Sequence, residues 1–97
     1  MRAAALRVEL HLPNPRSLKE KRAVLRPILE RMRRLGSYSV AEVDHHDLWQ
    51  RAAVGIAVVA PDGQGLAQHI SKLRRYLEGQ PEIEVLDVLM TELEEPE

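Results

Sequence analysis

Near the start of the chain Leu6, Val8, Leu10 and Leu12 alternate with Arg7, Glu9 and His11, the two-residue period of a strand with one buried face. Pro13 and Pro15 end that pattern, because neither can donate a ladder hydrogen bond. Apolar positions then recur at helical spacing through Leu18, Leu25, Ile28, Leu29, Met32 and Leu35, behind Ser17 and Glu20 in the relation of a capping box. A helix from Ser17 to Gly36 is predicted, with Pro27 as an internal violation that should kink it at a cost of about 3 kcal/mol. Tyr38 to His45 reads as a second strand, 46–51 as a polar hairpin connection, and Ala52 to Ala60 as a third strand apolar on both faces, as a central strand would be. Asp62 offers a cap for a second helix lined by Leu66, Ile70, Leu73 and Leu77, which Gly79 and Pro81 close. The last strand, Ile83 to Leu93, changes parity between Val85 and Leu86, the mark of a bulge or of partial burial on both faces. The tail beyond Glu94 is expected to fray.

The order β-α-β-β-α-β predicts an α+β, ferredoxin-like βαββαβ sandwich: a four-stranded antiparallel sheet with two helices on one face. Right-handed crossovers then place the first and third strands in the centre. A length of 97 residues makes one domain, burying about two-thirds of its unfolded surface. With no cysteine and no phenylalanine, the core must be aliphatic, and thiol catalysis and disulfides are excluded. No apolar run approaches the roughly 20 residues of a bilayer span, and Arg2, Arg7 and Glu9 stand where a signal peptide would be apolar. A cytoplasmic protein without membrane association is expected.

The net charge of -1 hides a segregation. Between Arg16 and Arg34 eight basic residues face only Glu20 and Glu30, while from Glu78 to Glu97 there are eight acidic residues and no basic one. On a helical wheel Arg22, Arg33, Arg26 and Lys19 fall at successive angles about 20° apart, forming one cationic ridge with Arg34 nearby. Guanidinium groups in a row suit phosphate oxygens; the same row can equally be a solvated face with local ion pairs. Lys21 lies on the apolar side of the wheel, where its stem can pack and its ammonium reach water, or where it can enter a pocket with an acid from the sheet.

Between the second and third strands Glu42, Asp44, His45, His46, Asp47, Trp49 and Arg51 crowd together. Strict alternation sends Glu42, Asp44 and His46 to one side and Val43 and His45 to the other, so the adjacent histidines cannot readily share a metal. A metal site from Asp44, His46 and Asp47 with His11, or acid-base work by His45 or His46 with Asp47, stays geometrically open. No nucleophile, oxyanion device or glycine-rich phosphate loop accompanies these groups, so no catalytic residue, metal or other cofactor is assigned. Trp49 is either a packing anchor or a stacking platform for a nucleobase beside Gln50 and Arg51. The central strands carry no aromatic residue, which disfavours base stacking across the sheet. The small residues Ala53, Gly55 and Ala57 with Val59 instead admit another surface at close range, and a homodimer is expected. His69 and Tyr76 read as boundary packing of the second helix.

The blocks Ser17-Leu-Lys-Glu-Lys-Arg22, Ala41-Glu-Val-Asp-His-His-Asp-Leu-Trp-Gln-Arg-Ala52 and Gly55-Ile-Ala-Val-Val59 closely resemble the small bacterial YlxP-like family, a domain of unknown function. The resemblance implies a ferredoxin-like fold. Genes of that family often lie among translation and ribosome-maturation genes, which implies an RNA-linked role; no activity or catalytic residue comes with it. The leading expectation is a non-catalytic binding module that contacts RNA or a ribonucleoprotein through Lys19, Arg22, Arg26, Arg33 and Arg34, with Trp49 and Arg51. One alternative is a homo-oligomeric assembly protein whose basic helix meets the acidic C-terminal region between subunits. Another is a small metal or acid-base site built from Lys21, Asp44, His45, His46 and Asp47.

Overall fold

The alternation of Leu6 to Leu12 belongs to a longer strand in the computed structural model, which describes residues 1–95. Its elements are β1 (Arg2–His11), α1 (Leu18–Leu35), β2 (Ser39–Asp44), β3 (Arg51–Ala60), α2 (Gly63–Glu78) and β4 (Glu84–Glu94). All neighbours pair antiparallel in the order β2-β3-β1-β4. This is the ferredoxin-like α+β arrangement, with β1 and β3 central as crossover handedness requires. No helix among the described residues is long and apolar enough to cross a membrane.

Both helices begin on side-chain caps. Ser17 Oγ accepts from the Glu20 amide at 3.1 Å, and the Glu20 carboxylate reaches back to the Arg16 amide at 3.3 Å. Asp62 Oδ1 accepts from the Gly65 amide at 2.8 Å. Each cap is worth about 1 kcal/mol. α1 runs as one helix through Pro27, so the expected kink does not divide it. The proline is exposed while Leu25, Ile28 and Leu29 beside it are buried, and each such side chain contributes roughly 1.5–3 kcal/mol on burial. That packing offsets the missing donor.

The core lies between helices and sheet, where Leu6, Val8 and Leu10 of β1 and Val54, Ile56 and Val58 of β3 meet Met32 of α1 and Leu66, Leu73 and Leu77 of α2. The other face of the sheet is open. Two bulges interrupt the pairing. Along β4 the register jumps from Glu9↔Asp87 to Leu10↔Val85, which leaves Leu86 unpaired where the parity changes. Along β2 it jumps from Glu42↔Val54 to Asp44↔Ala53, which leaves out Val43.

The borders of the sheet are treated differently. On β2 the Val40 carbonyl accepts from Arg33 at 2.8 Å and the Glu42 carbonyl from His46 Nε2 at 3.2 Å, so side chains take the place of a fifth strand. β4 carries its bulge and the exposed acids Glu84, Asp87 and Glu92. α1 packs on β2 and α2, and β4 lies at the other edge of the sheet from β2. The basic helix and the acidic last strand therefore sit toward opposite borders. At the C-terminal end β4 reaches Glu94 and the Glu95 amide donates to the Met1 carbonyl at 3.2 Å; the rest of the tail expected to fray, 96–97, lies outside the described residues.

Candidate nucleic-acid interface

Because α1 is continuous, residues three or four apart on its outer side stay stacked over one another. Lys19, Arg22 and Arg26 are exposed there, and none of their side chains makes a hydrogen bond or ion pair among the described residues. Arg22 and Arg26 form a crest: both line a groove toward β2 on one side and a shallow trough with Lys19, Ala23 and Pro27 on the other. Arg34 is exposed and likewise unengaged among the described residues. Arg33 departs from the expected ridge. One guanidinium nitrogen donates to Glu30 at 2.8 Å and another to the Val40 carbonyl at 2.8 Å, so it tethers the helix to β2.

The groove between α1 and β2 has a volume of about 210 Å³, with Leu18, Leu25 and Leu29 in its wall and Arg22, Arg26 and His46 around it. Lys21 lies within it, 2% exposed, and does not reach water. Its ammonium sits 2.9 Å from Glu42 Oε2 and donates to the His45 carbonyl at 2.8 Å. The first of these contacts is ionic rather than well directed: Oε2 accepts no hydrogen bond among the described residues. Glu42 belongs to the helix-facing side of β2, opposite the side that Asp44 occupies.

Strict alternation put those two acids on one side, and the Val43 bulge is the reason it fails. Asp44 is turned onto the open face, where Arg7 donates to its Oδ2 at 2.8 Å. Arg7 also donates to Glu9 Oε1 at 3.0 Å, while His45 Nε2 and Arg51 donate to Glu9 Oε2 at 3.0 and 3.2 Å. Burial is the largest single influence on the Glu9 carboxyl and pushes its pKa up, but the hydrogen bonds from Arg7, His45 and Arg51 outweigh it and leave the group below the ordinary range. The Arg7 hydrogen bond, followed by the His45 amide, holds Asp44 low as well.

His45 adopts φ 60, a left-handed conformation that costs a non-glycine residue of order 1 kcal/mol. Four contacts hold it: its amide donates to Asp44, its ring to Glu9, and its carbonyl accepts from Lys21 and from the Leu48 amide. His46 is spent on the β2 border, and Asp47 is exposed without a hydrogen bond or ion pair among the described residues. No group of three or more His, Asp or Glu side chains able to hold a metal occurs among the described residues. Trp49 is 52% exposed beside Leu48 at the hairpin tip. Gln50 ties that tip to the loop before α1, donating to the carbonyls of Pro13 and Pro15 at 3.2 Å. The tryptophan and the start of the basic helix thus share one end of the molecule, whereas Arg51 is engaged with Glu9.

Residues 3–90 match the family model described as "Protein of unknown function (DUF503)". The chain belongs to the DUF503 family. A Bacillus subtilis (strain 168) protein named "Uncharacterized protein YlxP" is 38% identical over 68 residues, which cover 70% of this chain and 74% of that protein. The YlxP-like resemblance of the blocks at 17–22, 41–52 and 55–59 therefore holds at the level of the DUF503 family. In this DUF503 chain, sequence reasoning passed over Arg7 and Glu9, half the charge of the open-face network. The available signal was their opposite charge on the polar side of β1, with Arg51 the one charged residue of the neighbouring strand β3.

Proposed function

We propose that this DUF503 chain is a non-catalytic cytoplasmic binding module that holds RNA, free or in a ribonucleoprotein, along the outer side of α1. One observation carries the reading: Lys19, Arg22 and Arg26 stand in a row on an unbroken helix with no hydrogen bond or ion pair among the described residues, while Arg33 and Arg51 are consumed by the fold. A cation already paired within the chain has little left to offer a phosphate, whereas a free one displaces condensed counterions on binding. Arg22 and Arg26 are about one helical turn apart, close to 6 Å of rise, so a backbone lying along the crest can meet both. Trp49, half exposed at the same end, supplies a face on which an unpaired base can stack.

Fluorescence anisotropy with a labelled single-stranded RNA at low salt tests this reading. The wild-type chain binds, and the charge reversals Arg22→Glu and Arg26→Glu together abolish binding without changing the circular dichroism spectrum. No wild-type binding at low salt, or binding that survives both reversals, ends the proposal.

A further inference from the structure

We propose that the open face of the sheet is the docking surface for a second copy of this chain, stacked sheet against sheet. The pairing registers put Ala3, Val59 and Leu93 in one row of that face, Ala5, Ala57 and Thr91 in the next, and Gly55, Arg7 and Leu89 in a third. Val43 joins them, since its methyl group lies where a Cβ on Gly55 would stand. Val59 and Leu93 are each 63% exposed, Leu89 57% and Val43 47%. The first two rows are contiguous and without charge, and Leu89 and Val43 flank Arg7 in the third, whereas a monomer's exposed apolar residues are normally scattered.

Size, charge and chemistry together select the occupant. Four strands about 4.8 Å apart and 6 to 11 residues long at about 3.4 Å each give a face of roughly 600 Å². Two copies would bury about 1,200 Å², the lower end of the range for specific interfaces. Arg7, between Gly55 and Leu89, and Arg51, at the hairpin end, are neutralised within the chain by Glu9 and Asp44, and His11 lies 3.4 Å from Glu84. Asp87 is the face's other acid and sits at that end on the outer strand, away from Val59 and Leu93. A two-fold pair sets a patch against its own copy, so the apolar rows meet without like charges between them. Among the described residues the face has no aromatic ring to hold a nucleobase, and α1, with its exposed cations, lies on the opposite side of the sheet.

Sedimentation equilibrium of the full chain at micromolar concentration reads the outcome. The wild type is expected at twice its 11.0 kDa mass. Val59→Asp with Leu93→Asp is expected to raise the dissociation constant about a hundredfold or more, because each charge would have to be buried unpaired. Ala57→Arg, in a different row, gives the same monomer independently. Trp49→Ser, at the hairpin tip, leaves the dimer intact. A monomeric wild type, a dimer that persists in Ala57→Arg, or one that dissolves in Trp49→Ser overturns the proposal; none of these results bears on the RNA reading.

Discussion

At Lys21 a charged group is buried in the core with a carboxylate and a carbonyl for company. Removing the amine leaves Glu42, still 23% exposed, with partial access to water. Lys21→Met is therefore expected to cost about 2 kcal/mol, less than the roughly 3–5 of a fully buried pair. Adding Glu42→Gln should recover at least half of that loss; urea denaturation of the four proteins of the cycle checks it, and strictly additive losses would show that the pair is not coupled. Glu9 and Asp44 make a second prediction. Both carboxyls are held below the ordinary range in the folded chain, so they bind fewer protons folded than unfolded as acid is added. Their stabilisation is complete above the ordinary carboxylate range and is lost as pH falls through the depressed values, below about pH 4. Melting temperatures followed from pH 7 downward should show that decline, and Glu9→Gln should flatten it.

Among the elements, α1 carries an evident correctable defect. Pro27 is exposed inside the helix, so Pro27→Ala restores a backbone donor without opening the core, and the midpoint of urea unfolding should rise by the equivalent of about 1–3 kcal/mol. A lower midpoint would mean that the ring itself is packed. The helices, their caps and the central place of β1 and β3 were legible because local period and local hydrogen bonding determine them. The bulge at Leu86 was legible too, since the apolar alternation of β4 changes parity there. The bulge at Val43 was not: Glu42-Val-Asp reads as regular strand, and the residue that accommodates the displaced side chain is Gly55, twelve positions on. With it went the true side of Asp44 and the left-handed turn at His45, which depend on partners distant in the chain; for Lys21 the helical wheel left a wet ammonium and a pocket with an acid of the sheet both open, and the structure has the second, with Glu42. Arg33 was misjudged for a related reason, because helical angle says what a side chain can face and nothing of the carbonyl on β2 that claims it.

For the whole molecule, opposite placement of the basic helix and the acidic last strand keeps the two charge poles from cancelling, although the net charge is only -1. RNA affinity should then depend on salt far more steeply than that net charge implies. With three or four phosphates contacted, log K against log salt should have a slope of about -2 to -3, and each cation removed from Lys19, Arg22 and Arg26 should reduce it by about 0.7. A slope near zero in the wild type would mean that phosphates are not what the helix meets. The finished border of β2 has a further consequence. Many proteins recruit partners by letting an extended peptide borrow main-chain hydrogen bonds from an unfinished sheet, but here Arg33 and His46 already occupy the outward carbonyls of Val40 and Glu42. Along that margin an incoming peptide strand would have to compete with both side chains for the carbonyls it needs.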